Sequence, residues 1–473
     1  MRVLMAASEV APYAKSGGLA DVLGALPAAL GRCGPVEPAV LLPCYRGISL
    51  EGAERVYHAL PVWVGGFHYD CALWRTGGDS PVYLLDCPPL FDRPGLYGEN
   101  GADYPDNHAR FAVFSRAVLE VARRVFRPDV IHCHDWQTGL VPAYLRGRWG
   151  MDPTFLGIKT VLTIHNLGYQ GVFPASVLPQ TGLDSVQYHP DGAEYWGQVS
   201  YLKAGIVYSD AITTVSHSYA EEIQTPEYGL GLDGVLRNRR DALTGILNGV
   251  DYGTWDPRHD PSIAAPYSAG DLAGKAACKR DLLRSFGLGA EAEKRPLLGV
   301  VTRLTPQKGS ELILEIAGQL AAEGATLVVL GSGDPDLERD FQKAARASAG
   351  ALAVRIGYDD GLAHRIEAGS DMFLMPSRYE PCGLSQIYSL RYGTVPVVRV
   401  TGGLGDTIDE ETGFRFSEYS AAALLACVRE ALQAYRDRES WTARMKRGMA
   451  KDFSWDRSAA GYVRLYESLV RSR

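Results

Sequence analysis

The sequence predicts an α/β protein in two halves, and three observations lead to this prediction. Short apolar segments typical of buried strands alternate with helical segments along almost the whole chain. The length of 473 residues exceeds what one hydrophobic core usually serves. Two loops also match each other, Ser16-Gly-Gly-Leu-Ala-Asp21 and Thr401-Gly-Gly-Leu-Gly-Asp406, each between a strand and a helix. We therefore expect two α/β domains whose glycine-paired loops face one cleft.

The first half of the chain contains a series of short segments rich in β-branched residues and leucine, each followed by polar or turn residues. A helix is predicted from Leu19 to about Leu30. Strands are predicted at 3–7, 40–42, 82–86, 129–133, 160–164, 211–215 and 245–247. The segment 249–261 has two prolines and several turn formers, so we expect the domain hinge there.

The second half restarts the pattern. Strands are predicted at 297–301, 325–330, 352–356, 371–375 and 395–400, with helices at 310–323, 336–347 and 384–392. The terminal segment carries an apolar stripe, Tyr462, Leu465, Tyr466 and Leu469, which needs a partner surface. We expect a first domain of residues 1–250 joined by a returning helix within 453–473, and a second domain of residues 251–452.

Residues 371–406 form the most informative stretch, because they predict strand, loop, helix, strand and a second loop in succession. That length suits a parallel crossover, so both loops should lie at the carboxyl ends of neighbouring strands, where open α/β sheets bind ligands. The first loop offers the carboxylate of Glu380. The second offers a glycine-paired helix start, whose N–H groups suit an anion. A carboxylate facing a phosphate site suggests that a nucleotide sugar binds here.

Composition narrows the class of protein. A net charge of −7 without a basic block argues against a nucleic-acid partner. The eight cysteines form no Cys-x-x-Cys pair, which favours reduced thiols in the cytoplasm. The chain enters a strand at once, which leaves no room for a signal peptide, and no apolar run approaches the ~20 residues of a membrane span. Composition does not indicate an oligomeric state.

Several motifs together resemble the bacterial glycogen synthases and plant starch synthases, over nearly the whole chain and in the right order. They are Lys15-Ser-Gly-Gly-Leu-Ala-Asp21, His134-Asp-Trp136, Thr163-Ile-His-Asn166, Asn248-Gly-Val-Asp251, Arg303-Leu-Thr-Pro-Gln-Lys-Gly309, Glu380-Pro-Cys-Gly-Leu384 and Thr401-Gly-Gly-Leu404. The resemblance implies a GT-B fold, with two Rossmann-like domains, a deep interdomain cleft and a last helix that crosses back to the first domain. It also implies metal-independent, retaining transfer of glucose from ADP-glucose to the non-reducing-end 4-hydroxyl of an α-1,4-glucan, with no cofactor.

The same resemblance implies roles for individual residues. Glu380 positions the donor glucose, His165 lies against the donor sugar and the reacting centre, and Asp135 lies near the acceptor side. Lys15 reaches the donor phosphate from the first domain. Because the two glycine-paired loops are expected to face each other, we add our own hypothesis that this contact forms only on domain closure. The other residues expected at the donor are Gly18, Asn248, Arg303, Lys308, Cys382, Gly383, Leu384, Thr401, Gly402, Gly403 and Leu404. Apart from the resemblance, Tyr97 and Asn107 lie in a polar loop, 93–108, that is expected to border the acceptor groove, and Asp21 is expected on the same acceptor side.

Alternatives remain at this point. UDP-glucose could replace ADP-glucose as the donor, or the chain could be a non-catalytic glucan-binding relative. An NAD-dependent oxidoreductase would carry Gly-x-Gly-x-x-Gly, but the nearest run, 331–336, lacks the third glycine. The His132-x-His134 spacing invites a metal site, since alternate strand residues share a face, but the sequence shows no third ligand cluster.

Overall fold

The computed structural model describes residues 1–471 and divides into two compact units. Unit 1 comprises Met1–Gly249 together with the chain from Trp455, and unit 2 comprises Val250–Ser454. These boundaries lie one and two residues from the expected ones at 250 and 452. Residues 472 and 473, the end of the predicted terminal segment, lie outside the described residues.

Unit 1 is built on a mostly parallel sheet. The strands of the unit are β1 Arg2–Ala6, β2 Glu37–Pro43, β3 Glu54–Val64, β4 Phe67–Arg75, β5 Val82–Asp86, β6 Gly98–Glu99, β7 Ala102–Asp103, β8 Val130–His134, β9 Lys159–Ile164, β10 Val172–Pro174, β11 Glu194–Tyr195, β12 Gln198–Ser200, β13 Ala211–Thr214 and β14 Leu243–Gly245. Within the described residues, the order of strands in the main sheet is β14-β13-β9-β8-β1-β2-β5-β4-β3. The helices are α1 Gly18–Cys33, α2 Pro88–Phe91, α3 Asn107–Val121, α4 Leu140–Arg146, α5 Leu178–Thr181, α6 Tyr201–Tyr208, α7 His217–Glu222 and α8 Asp233–Asn238.

Strand β1 lies in the middle of this sheet, with β2 on one side and β8 on the other, both parallel to it. The chain therefore changes its direction of travel across the sheet at β1, which is where open α/β sheets bind ligands. Residues Val3–Ala6 are fully buried because helices and loops cover both faces of the central strands. The loop after β1 is thus placed at a binding edge by topology alone.

Two features of this sheet differ from the sequence-based expectation. The antiparallel hairpin β3–β4 extends one edge of the sheet and was not predicted, because β3 has few buried positions and its pairing is interrupted by register shifts. The last strand was expected at 245–247 but lies at Leu243–Gly245, since its partner β13 ends at Thr214, opposite Gly245. The other strands predicted in the first half are confirmed within one to three residues at each end.

Unit 2 has a parallel sheet of its own. Its strands are β15 Leu297–Val301, β16 Thr326–Gly331, β17 Leu352–Ile356, β18 Met372–Met375, β19 Val395–Arg399 and β20 Phe414–Phe416. Within the described residues, their order in the sheet is β17-β16-β15-β18-β19-β20. Its helices are α9 Ala273–Ser285, α10 Ser310–Ala322, α11 Pro335–Ala347, α12 Asp360–Gly369, α13 Ser385–Arg391, α14 Gly402–Thr407, α15 Ala421–Ala434 and α16 Arg438–Met449. The predicted crossover is confirmed, since β18 and β19 are adjacent and parallel with α13 between them.

The four central strands of unit 2 are buried on both faces, as the continuous apolar runs predicted. Leu327 and Val329 belong to one core, whereas Val328 and Leu330 belong to a second core on the other face. This alternation follows from the two-residue period of a strand, and it requires helices on both sides of the sheet. Each half is therefore an α/β domain, and the predicted fold class is confirmed.

The final helix, α17 Trp455–Arg471, belongs to unit 1 although it follows unit 2 in the chain. Tyr462 and Tyr466 of the predicted stripe are fully buried, and the helix packs on the core of unit 1. The hydroxyl of Tyr466 lies 2.6 Å from Nδ1 of His132 on β8. The expectation that this helix needs a partner surface is confirmed, and that surface is the sheet and helices of unit 1.

No helix within residues 1–471 combines the length and the apolar character that crossing a lipid bilayer requires.

Candidate functional site

A buried carboxylate, Glu380, lies in the loop that follows β18 of unit 2. Its Oε2 accepts a hydrogen bond of 2.6 Å from Nζ of Lys308 and one of 3.0 Å from Oγ of Ser377. Lys308 ends the short turn after β15, the strand that pairs with β18. Because the carboxyl ends of parallel strands meet at one edge of a sheet, the fold brings together two residues that are 72 positions apart in sequence.

A second cation, Arg303, follows β15 directly and is exposed at the same edge of unit 2. Its Nη2 lies 3.4 Å from Oε1 of Gln307, and Nε2 of Gln307 lies 3.5 Å from the carbonyl of Tyr379. Gln307 thereby connects the Arg303 loop to the Glu380 loop. Lys308 is mostly buried against Glu380, with 18% of its side chain exposed. This edge of the sheet therefore carries one solvent-exposed cation, Arg303, and one mostly buried cation, Lys308.

The glycine pair that begins α14 packs against the loop of Glu380. A Cβ on Gly402 would lie 2.0 Å from the carbonyl oxygen of Glu380, and one on Gly403 would lie 2.0 Å from that of Cys382. Gly402 also has φ of +43°, in the left-handed region that disfavours side chains. The two glycines are therefore required because two backbones touch, and this contact sets the position of the loop that carries Glu380.

The amides of the same loop are partly used inside the protein. The N–H of Gly403 donates to the carbonyl of Glu380 at 3.1 Å, and that of Leu404 donates to the carbonyl of Thr401 at 3.0 Å. These two amides are thus not the free anion donors that the sequence suggested, because that of Gly403 joins the two loops and that of Leu404 closes the first turn of α14. Their part in donor binding stays a prediction. The other residues predicted at the donor, Cys382, Gly383 and Leu384, lie between Glu380 and α13, with Cys382 buried.

In unit 1, a pair of histidines lies at the carboxyl edge of the sheet. Nδ1 of His134, at the end of β8, is 2.9 Å from Nε2 of His165, which follows the neighbouring strand β9. Asp135 has φ of +56° and accepts a hydrogen bond of 2.7 Å at Oδ1 from the N–H of His165. The unusual backbone of Asp135 thus turns its carboxylate towards the His165 loop. The structure thus places Asp135 beside His165, and it adds His134 to the pair.

Burial keeps the two histidines of this cluster uncharged at neutral pH. Desolvation lowers the pKa of His165 to about 3 and that of His134 well below its ordinary value, where the nearby histidines lower it further. Desolvation also raises the pKa of Asp135 to about 7, although hydrogen bonds from the backbone of His165 and Asn166 oppose this rise. Both histidines are therefore neutral imidazoles, and one N–H lies between them.

The surroundings select one tautomer of this pair. Nε2 of His134 is buried without a hydrogen-bond partner. A buried N–H without a partner is more costly than a bare nitrogen lone pair, so we infer that His134 carries its proton on Nδ1 and donates it to Nε2 of His165. His165 then carries its own proton on Nδ1. The result is a neutral histidine that can donate one hydrogen bond at the edge of the sheet.

The His132-x-His134 spacing has a structural explanation. Both side chains lie on one face of β8, with ring centroids 4.1 Å apart, as the strand period predicts. The nitrogens of His132 lie 2.6 Å from the hydroxyls of Tyr466 and Thr163, so neither is available to a metal ion. Across the described residues, no group of three or more His, Cys, Asp or Glu side chains is arranged to hold a metal.

The loop of Lys15 is held by a residue that sequence reasoning missed. Glu9 is buried behind β1, and its carboxylate accepts hydrogen bonds from the N–H groups of Ser16, at 2.5 Å, and Gly17, at 3.1 Å. Its Oε1 also accepts from the hydroxyls of Ser16 and Tyr97. The amides of Ser16 and Gly17 are thus occupied by a carboxylate of the protein itself. The available signal was the position of Glu9 at the end of the central strand.

The remaining predicted residues of unit 1 divide into exposed and buried ones. Lys15 is exposed and pairs with Asp21 at 2.7 Å, and Gly18 begins α1 beside them. Asn107 is buried, donates to the carbonyl of Tyr97 at 2.8 Å and accepts from Arg110, which argues against direct contact with a glucan.

Asn248 is buried as well, and its Oδ1 has no hydrogen-bond partner. A buried polar atom of this kind needs an explanation. Its predicted place at the donor remains a prediction.

Two family models match the chain, and both describe sugar-transferring domains. The model of the starch synthase catalytic domain matches residues 2–238, and that of the glycosyl transferases group 1 matches residues 286–447. Two α/β units with these matches define the class of GT-B glycosyltransferases, which are built from two Rossmann-like domains.

Individual relatives make the assignment narrower. A glycogen synthase of Koribacter versatilis is 49% identical over 482 residues, covering 100% of this chain and 99% of the relative. A glycogen synthase of Anaeromyxobacter dehalogenans is 50% identical over 478 residues, covering 99% and 100%. The catalytic domain of starch synthase IV from Arabidopsis thaliana, solved with ADP and acarbose, is 35% identical with a TM-score of 0.90, covering 100% and 99%. This chain therefore belongs to the glycogen and starch synthase family of glycosyltransferases.

Proposed function

We propose that this chain elongates an α-1,4-glucan, transferring glucose from ADP-glucose to the 4-hydroxyl group at the non-reducing end with retention of configuration. Membership of the family over the full length of the chain supports the glucan and the transferred sugar. The ADP bound to the Arabidopsis enzyme supports the nucleotide. The observation that carries the proposal is the buried carboxylate of Glu380 held against the ammonium of Lys308 at 2.6 Å.

The chemistry explains why such a pair is useful. When the bond between glucose and the diphosphate breaks, negative charge grows on the phosphate and positive charge grows at the anomeric carbon. Lys308 and Arg303 supply positive charge for the leaving phosphate, and they are fixed before the reaction begins. Glu380 supplies hydrogen-bond acceptors for the sugar hydroxyls. An ammonium and a carboxylate at the same edge thus match the two ends of the bond that breaks.

From unit 1, His165 contributes a neutral rather than a charged group. With its proton on Nδ1, His165 donates a hydrogen bond to an oxygen of the sugar without adding a cation beside the developing positive charge. Asp135 keeps the backbone of His165 in place through its hydrogen bond of 2.7 Å. Burial makes both features stable, since the charged imidazolium form is disfavoured at any pH near neutrality.

The proposal also covers cofactor, location and partners. We propose that no metal or cofactor takes part, because Lys308 and Arg303 can neutralise the diphosphate in place of a cation. The eight cysteines are free thiols, which supports a reducing cytoplasmic setting. The partners are ADP-glucose and a glycogen-like acceptor, and neither a nucleic acid nor a membrane is among them.

The test is incubation of the protein with ADP-glucose and glycogen while released ADP is measured. The same assay with UDP-glucose distinguishes the alternative donor, and omission of glycogen measures hydrolysis of the donor. Nuclear magnetic resonance of a short labelled product reports whether the new linkage is α. Binding of glycogen without release of either nucleotide would identify a non-catalytic glucan-binding relative instead.

A further inference from the structure

Three large apolar side chains are exposed in loops of unit 1 near the candidate site. Tyr169, Trp196 and Leu230 have 52%, 81% and 43% of their surface exposed. Tyr169 lies in the loop that begins with His165, Trp196 lies at the tip between β11 and β12, and Leu230 lies in the loop before α8. We call these three residues the apolar patch. Exposed apolar groups that are adjacent in a structure commonly mark a binding surface.

Hydrogen bonds tie the three segments of the patch together. The carbonyl of Leu230 accepts from Nε2 of Gln170 at 3.0 Å and from the hydroxyl of Tyr195 at 2.9 Å. Gln170 and Tyr195 are the chain neighbours of Tyr169 and Trp196, so one carbonyl connects all three loops. The patch is also joined to the candidate site, because the N–H of Tyr169 donates to the carbonyl of Asn166, beside His165, at 3.2 Å.

The backbone of the patch is held in an unfavourable conformation. Trp196 and Leu230 have φ of +52° and +49°, in the left-handed region that bulky residues rarely adopt. Each such residue costs on the order of 1 kcal/mol relative to ordinary backbone. Neither side chain is buried in the core in return. Strain of this kind that fixes exposed side chains is a feature of ligand-binding sites.

The charges around the patch indicate the kind of ligand. The segments 165–172, 189–200 and 224–232 contain no lysine or arginine, whereas they include Asp191, Glu194 and Glu227. Two cations contact these segments from outside, but Lys203 is buried and donates to the carbonyl of Glu194, and Arg237 donates to that of Gln224 and pairs with Asp233. A phosphate or another anion would therefore meet the carboxylates around the patch before any uncommitted cation. A neutral carbohydrate does not meet this difficulty, and the C–H faces of its pyranose rings pack on aromatic rings. The patch is therefore suited to an uncharged sugar chain.

We propose that the apolar patch binds the acceptor glucan, with the indole of Trp196 stacked on a pyranose ring some distance from the reacting end. This proposal rests on the proposed function, since it assigns a binding surface to the acceptor of that reaction. The patch continues from the loop of His165, so one chain can reach both. The role of the patch is to position the acceptor, and it takes no part in breaking or forming a bond.

The test compares Trp196→Asn with Leu156→Asn. Asparagine tolerates left-handed backbone, so the first variant removes the ring without adding strain. Leu156 is 70% exposed and precedes β9, at the opposite edge of the same sheet, which makes the second variant a matched control. We expect Trp196→Asn to raise the KM for glycogen, and the dissociation constant for maltoheptaose measured without donor, by roughly five- to ten-fold. The KM for ADP-glucose and kcat at saturating glycogen should stay within two-fold, and Trp196→Phe should restore most of the loss.

The outcomes separate this proposal from the proposed function. If the unaltered protein releases no ADP from ADP-glucose, the proposed function fails, and this proposal falls with it. If the unaltered protein is active but Trp196→Asn leaves both the KM for glycogen and the maltoheptaose affinity unchanged, only the assignment of the patch is overturned. A change in molecular mass in solution with unchanged acceptor kinetics would make the patch a contact between copies of the chain instead. Equal losses in Leu156→Asn would also overturn the assignment.

Discussion

Replacement of Glu380 by alanine tests the central contact of the proposed site. The side chain of Glu380 is 6% exposed, and one oxygen accepts from both Lys308 and Ser377. Alanine removes the proposed acceptor for the hydroxyls of the donor sugar and leaves the ammonium of Lys308 without its carboxylate partner. Glutamine at the same position keeps the shape but removes the charge, so the two variants together separate the loss of a hydrogen-bond acceptor from the loss of charge.

The expected magnitudes follow from this geometry. Loss of a contact that positions the donor in the transition state lowers kcat/KM by on the order of 10²-fold or more, which corresponds to about 2.7 kcal/mol. Breaking a fully buried ion pair costs about 3–5 kcal/mol of stability. Here the loss should be smaller, about 1–2 kcal/mol, because the 18% exposed side chain of Lys308 can turn towards water. The protein should therefore stay folded while its activity nearly disappears.

The assay is steady-state release of ADP, accompanied by denaturant unfolding to report stability. A matched control is Ser377→Ala, which removes a neutral hydrogen bond to the same oxygen and should cost less than ten-fold in activity. Near-normal turnover in Glu380→Ala would refute the assignment of this carboxylate. Complete unfolding of both Glu380 variants would instead show that the pair with Lys308 is chiefly structural.

Three further predictions concern metal, the lysines and pH. Activity should be unchanged in EDTA, and a large loss that magnesium or manganese restores would contradict metal independence. Lys308→Ala should weaken the binding of ADP, measured by calorimetry. Lys15→Ala should lower kcat more than it weakens ADP binding, because the contact of Lys15 is expected to form only on domain closure. If Lys15→Ala instead abolished ADP binding and left kcat intact, Lys15 would belong to the donor site before closure. Burial raises the pKa of Asp135 from 3.8 to about 7, so the folded state holds a proton that the unfolded state has lost between pH 4 and 7. The free energy of unfolding should therefore decrease as the pH rises from 4 to 7, by up to roughly 1.4 kcal/mol per pH unit. Asp135→Asn should flatten this dependence, which is measured by denaturant unfolding at several pH values. An equal dependence in both proteins would show that Asp135 titrates normally.

The sequence alone was sufficient to predict two α/β units and most of the strands of their parallel sheets. The apolar runs of unit 2 alternate between two cores, and this local pattern is visible in a single chain because strand geometry is a property of neighbouring residues. The apolar stripe on the final helix likewise predicted that one face of this helix is buried. Elements that are defined by distant partners were not predictable, such as the hairpin β3–β4, which has few buried positions on β3 and gains its order from pairing at the edge of the sheet.

The residues of the site could be predicted as types, whereas their partners were decided by the tertiary structure. Glu380, Lys308 and His165 were recognised from the loops in which they occur. Which group each one contacts depends on strands far apart in sequence, because the order of strands in a sheet is set by long-range contacts and not by neighbouring residues. The contact of Lys308 with Glu380 and that of His165 with His134 arise in this way.

The glycine-paired loops show the same division. The sequence suggested that the Thr401 loop presents free amides to an anion, and that the matching Ser16 loop faces the same cleft. In the structure the carboxylate of Glu9 occupies the amides of Ser16 and Gly17, and the carbonyl of Glu380 occupies that of Gly403. A sequence determines which groups a loop can offer, but only the folded chain decides which of them are already used, because a buried donor or acceptor must find a partner wherever the fold brings one within reach.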